Sequence, residues 1–208
     1  MSEITSGECL RVVDHEVAGS TPFGEMSKVS APLTRVLAVE ADEAHRYLHV
    51  TLEELLIAAL GRTVARAIGD GELRLAVYGH QLPIPLECTN ARDVDATGAL
   101  RAVHRALTAQ DHPASAAPVD VFFSYLGAMA EPSLVELMPA ESASGRGYAL
   151  ALRVYRSDDV LQMDWWYDGR RLEPSTVEEL TQQFPLALIE LTSEAVPPVY
   201  QDAHLAMA

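Results

Sequence analysis

The chain has 208 residues, 49% of them hydrophobic, and its 30 acidic against 15 basic side chains leave a net charge of −15. That length predicts one domain, or at most two tightly joined halves, with ample material for a core. The charge argues against nucleic acid and anionic membranes as partners, because the phosphate attraction that dominates such binding would turn to repulsion.

In chain order, residues 1–32 read as a polar arm, either loose or a short edge strand, with weak strand character at Leu10–Val13. Cys9 and Cys88 lack a metal-ligand spacing, no apolar run reaches the roughly 18–20 residues of a membrane span, and Met1–Glu8 is acidic. A soluble, cytoplasmic protein with free thiols is expected. Pro32 to Val39 reads as a linker or short strand, with a helix from Ala41 that breaks near Tyr47. Leu52 to Ile68 is the clearest helix: Thr51 caps it, Glu53 and Glu54 sit in its first turn, and Leu52, Leu55, Leu56, Ala59 and Leu60 recur at helical steps. Gly69-Asp70-Gly71 ends it, and Glu72–Tyr78 alternates as a strand.

Pro83, Pro85 and Asn90 make Gln81–Asp95 resist regular structure, and Ala96–Ala109 is a second amphipathic helix. Asp111–Pro118 is a linker. Val119–Gly127 is a β-branched and aromatic run stopped by glycine, which predicts a buried strand. Pro132–Gly147 is a flexible stretch. Tyr148–Tyr155 and Val160–Tyr167 are strands joined at Ser157-Asp158-Asp159, a hairpin whose sheet the Val119 run extends. The last helix runs from Ser175, as N-cap with Glu178 in a capping box, to about Leu191, with a kink at Pro185. Residues 33–195 form the domain and 196–208 a mobile tail.

The order of these pieces resembles the C-terminal half of a nonribosomal-peptide condensation or epimerisation domain, of the chloramphenicol-acetyltransferase-like superfamily. The strand ending Tyr125-Leu126-Gly127, the Gly/Ser/Pro-rich loop and the Leu161…Trp165…Tyr167-Asp168 strand carry it, with Leu55–Leu60, the glycine-ended helix and Gly79-His80. Ser124 stands where that family usually has Asn. The resemblance implies an α/β fold: a mixed β-sheet covered by helices on one face, half of a condensation-domain fold. Such a domain has two similar halves facing each other across a channel, and its HHxxxDG base lies in the first half. None of the seven histidines here, His15, His45, His49, His80, His104, His112 and His204, stands in that motif. Tyr78 replaces the Glu that epimerising members place before Gly-His, and the segment that crosses between the halves is missing after Asn90.

Candidate site residues follow. His80 and Tyr78, at the end of a strand, are candidate acid/base groups, against a histidine that only bonds nearby backbone. Ser124, Tyr125, Trp165 and Tyr167 are candidate substrate-binding residues, an apolar wall with polar handles, against plain core packing. Trp165 and Trp166 alternate, so one faces away from whatever the other packs on. Asp164, on the polar face of a strand, reads as a possible acid against a solvated residue. His45 and His49 stand four apart, but without a third ligand no metal is assigned. Ser124 lacks a nucleophile elbow, and Gly145-Arg146-Gly147 is too short for a phosphate loop. No cofactor is expected.

A single half leaves a sheet face exposed, so a homodimer or a partner protein across that face is expected, with a carrier-protein-bound or small-molecule biosynthetic intermediate as ligand. Three functions follow: a half that completes or docks to a partner carrying the HHxxxDG base in nonribosomal-peptide or hybrid polyketide synthesis; a small cyclase or isomerase that shapes an apolar intermediate; or a non-catalytic remnant.

Overall fold

The computed structural model describes residues 9–19, 21–22, 25–109, 117–129 and 147–197. Residues 132–146 of the expected flexible stretch, residues 111–116 of the linker and the tail beyond 197 lie outside them, Gly145-Arg146 included. Six strands, β1 (Ser27–Ser30), β2 (Gly71–Val77), β3 (Ile84–Cys88), β4 (Val121–Ala128), β5 (Leu150–Ser157) and β6 (Val160–Tyr167), form one mixed sheet in the order β1-β6-β5-β4-β2-β3. β2, β4 and β5 run parallel, and the other neighbours are antiparallel. Helices α1 (Arg35–Leu48), α2 (Leu52–Ala67), α3 (Ala96–Thr108) and α4 (Pro174–Glu194) bury their apolar faces in one cluster with one side of the sheet. This is the expected α/β architecture.

The core follows from the period of two. Leu73, Leu75 and Val77 of β2, Val121 and Phe123 of β4, Leu150, Leu152 and Val154 of β5, and Met163, Trp165 and Tyr167 of β6 all point under the helices. Each fully buried aliphatic side chain here contributes about 1.5–3 kcal/mol. α2 is buried along most of its length and packs closest on β3 at Gly61, where a Cβ would come 3.1 Å from the Glu87 carbonyl oxygen. Its capping box is complete: Thr51 Oγ1 accepts from the Glu54 backbone N–H, and Glu54 accepts from the Thr51 N–H at 2.6 Å.

Four local readings differ from the sequence-based ones. α1 begins at Arg35, because Thr34 caps it and accepts from the Leu37 N–H at 3.2 Å, and it runs unbroken through Tyr47. Pro85 lies inside strand β3, which an edge position allows since among the described residues no neighbour needs its missing N–H. α4 starts at Pro174 with Glu173 as a cap that makes no side-chain bond, because proline at the first helical position is pre-set for the helix. The described part of the arm packs on the domain, and its short edge strand lies at Ser27–Ser30 rather than at Leu10–Val13. Val12 is fully buried, Leu10 donates its N–H to Glu72 O at 2.7 Å, and β1 forms the sheet edge beside β6.

Among the described residues no helix is long and apolar enough to cross a membrane.

Candidate functional site

The sheet's second side, away from the helices, is ordered into rows by strand register. Ser124 of β4 stands beside Arg153 of β5, Arg153 beside Asp164 of β6, and Asp164 beside Ser30 of β1. Two residues along each strand, Ala76, Phe122, Ala151, Trp166 and Lys28 align in the same way. The result is a polar row next to an apolar one. Met26, Phe122, Ala151 and Trp166 form a second hydrophobic cluster, against which Tyr148 packs with its ring 5.3 Å from that of Phe122.

The polar row is buried except at Ser30. Ser124 is 1% exposed, Arg153 5% and Asp164 6%. Ser30 Oγ donates to Asp164 Oδ1 at 2.6 Å, and Lys28 Nζ lies 3.7 Å from Asp164 Oδ2 and 5.3 Å from the centre of the Trp166 ring. Burial pushes the Arg153 guanidinium below its ordinary value, while Asp164 and then Tyr155 act in the opposite direction. Among the described residues the Ser124 hydroxyl has no hydrogen-bond partner. A buried hydroxyl left without a partner costs on the order of 1–3 kcal/mol.

The structure separates the residues that the sequence grouped. Trp165 and Tyr167 lie under the helices, Trp165 fully buried with its ring edge-on to Phe184 at 5.7 Å, so both are core. Tyr125 also faces the helix side, half-buried beside Arg156, whose Nη2 holds Asp42 Oδ1 at 2.6 Å; burial pushes the Tyr125 phenol up and Arg156 pulls it back. Only Ser124 of the four reaches the second side. An apolar wall made of all four cannot form, because neighbouring residues of a strand point to opposite faces. Tyr78 and His80 follow β2 in the exposed turn to β3, Tyr78 47% exposed and His80 donating its backbone N–H to Val77 O.

His45 and His49 share no helix face. His45 Nδ1 donates to Val50 O, and His49 is the left-handed residue that ends α1. No group of three or more His, Cys, Asp or Glu able to hold a metal occurs among the described residues. Arg153 was missed as a site residue, and Asp164 is buried rather than solvated. A single charged residue flanked by apolar ones within a strand (Arg153 between Leu152 and Val154, Asp164 between Met163 and Trp165) was the signal available.

No family model matches the chain. Over 83% of its length it is 30% identical to one subunit of the phenolphthiocerol/phthiocerol polyketide synthase, in Mycobacterium tuberculosis and in Mycobacterium bovis, and it spans 15% of those proteins. Among solved structures it is similar to the epimerization domain from the third module of tyrocidine synthetase B, with a TM-score of 0.63 and 17% identity over 91% of this chain and 52% of that one. The X-domain in its complex with OxyB from teicoplanin biosynthesis gives 0.62 and 14% identity, covering 91% of this chain and 50% of that one. The first condensation domain of the CDA synthetase gives 0.59 and 14%, covering 82% and 46%. The chain thus has the fold of about half of a condensation or epimerisation domain.

Proposed function

We propose that the chain acts as the second half of a condensation-type domain in polyketide or nonribosomal-peptide assembly, meeting a partner that carries the HHxxxDG base. The likeness to condensation domains and to a segment of a polyketide synthase supports a role in natural-product biosynthesis. The observation that carries the finer reading is the buried polar row on the sheet side away from the helices, with a Ser124 hydroxyl that has no partner among the described residues. In this reading Ser124 offers a hydrogen bond to a carrier-bound intermediate, and the apolar row of Phe122, Ala151 and Trp166 takes its hydrocarbon part. The partner grips the rim at Lys28, Tyr78 and His80, which are exposed where the centre is not. His80 and Tyr78 then act as contacts to the partner or the ligand, and the proton-transfer step falls to the partner's base.

A second reading is favoured by the aromatic cluster of Phe122, Tyr148 and Trp166: a cyclase or isomerase that holds an apolar intermediate in reactive shape and needs few acid/base groups. The test is Ser124→Val and a gene deletion in the producing organism, with metabolites compared by mass and chromatography. Truncated chains in place of product support the first reading. An isomer of equal mass, or a linear precursor, supports the second. Unchanged metabolites in the deletion strain overturn both.

A further inference from the structure

The two edges of the sheet differ. At β3, Pro85 has no N–H, the Glu87 carbonyl oxygen lies against Gly61 of α2 and Arg62 holds the Thr89 carbonyl oxygen, so that edge is closed. The β1 edge is open. Among the described elements β1 pairs only with β6, and its Ser27, Lys28 and Ser30 are exposed. The ladder assigns its backbone groups. Ala31 donates its N–H to Met163 O and Leu33 to Leu161 O, both toward β6. By the period of two, Lys28 and Ser30 therefore turn their N–H and C=O groups outward. Among the described residues nothing bonds those four groups.

A sheet edge is commonly blunted by a charged side chain that stands out from the rim. Lys28 does not stand out. It lies back over the sheet, its Nζ 5.3 Å from the centre of the Trp166 ring and 3.7 Å from Asp164 Oδ2. Pro32, at the next outward position, has no N–H and ends the usable edge at Ser30. These features select both an occupant and a register. A second copy turned antiparallel about Val29 sets Lys28 opposite Ser30 of that copy and Ser30 opposite its Lys28, and each pair exchanges two ladder bonds. Centring on Lys28 would set two lysines face to face, and centring on Ser30 would leave each Lys28 carbonyl facing a proline. In the Val29 register the two Val29 side chains, half-buried on the helix side, meet as a β-branched pair. On the other side of the sheet, Lys28 falls in one row with Ser30 and Asp164 of the second copy, a cation near a carboxylate.

We propose that the chain forms a two-fold homodimer through β1, whose outer edge pairs antiparallel with the same edge of a second copy, centred on Val29, and joins the two sheets into one. The contact uses the backbone edge of the sheet and leaves the face of the Ser124 row uncovered, so it does not depend on the reading of that row.

The test is analytical ultracentrifugation of the full chain from low to high micromolar concentration, where the wild type should pass from one chain mass to two. Ser30→Pro removes an outward N–H at a place where an edge strand tolerates proline, and should raise the dimer dissociation constant by at least about tenfold. Val29→Cys in a Cys9→Ser background should form a disulfide-linked dimer under mild oxidation, because opposed residues of a non-hydrogen-bonded pair come within disulfide reach. Val36→Cys in the same background, on the more exposed surface of α1, should stay single on a non-reducing gel. Far-UV circular dichroism checks that each variant folds. A wild type that keeps one chain mass throughout, unchanged association of a folded Ser30→Pro protein, or equal cross-linking at positions 29 and 36 overturns the proposal. If Ser30→Pro fails to fold, the two cysteine variants decide alone.

Discussion

Asp168 is buried after β6, and burial alone would push its carboxyl up. Hydrogen bonds from Arg170 and Thr21 outweigh that effect and hold it down at about 2. The folded value lies below the unfolded one, so the stabilisation is complete at neutral pH and is lost as pH falls from about 4 toward 2. Because Arg170 is well exposed, the effect is discounted to roughly 1–2 kcal/mol. Urea unfolding at pH 6 and pH 3 should show the wild type losing about that much more stability than Asp168→Asn; equal losses would assign the acid sensitivity elsewhere. Tyr167-Asp168 could be read from the sequence as the end of a strand. The partner at Thr21 could not, since nothing in the local pattern joins positions so far apart.

At the scale of elements, the β5–β6 hairpin is the most transparent case. Ser157 pairs with Val160, and the two residues between them, Asp158 at φ 48° and Asp159 at φ 64°, are both left-handed, the backbone of a type I′ turn. The polar turn was legible; its left-handed cost to two aspartates was not. Replacing the pair by Asn-Gly (Asp158→Asn with Asp159→Gly) relieves that cost, and thermal unfolding should give a gain of about 0.5–1 kcal/mol. The helices were legible where periodicity and caps agreed, as at Thr51. They were misread where a proline carried two meanings: Pro174 starts α4, and Pro85 sits in an edge strand, both by tertiary context rather than by local pattern. Pro185 lies within α4, which continues as one helix to Glu194.

Across the whole molecule, Asp120 joins three distant stretches. Arg11 Nε and Arg171 Nη2 both reach its carboxylate at 2.5 Å, and Arg171 Nη1 also donates to Gly147 O at 2.9 Å. Asp120 and Arg171 are both less than a tenth exposed. Asp120→Ala strands a buried guanidinium and should cost about 3 kcal/mol or more in urea unfolding, whereas Arg11→Gln, removing a partly exposed partner, should cost clearly less. Equal losses would mean that the arm and not the buried pair is what Asp120 secures.

The sequence by itself determined the fold class and most of its elements, because alternation and helical spacing report which residues must leave water. It also determined that this chain carries no HHxxxDG motif. Only the tertiary structure decided which side of the sheet each strand residue serves: Trp165, Tyr167 and Tyr125 under the helices, Ser124, Arg153, Asp164 and Trp166 on the other side. A period of two divides a strand into two faces without saying which face the helices cover, and that assignment follows from the packing of four helices against six strands at once.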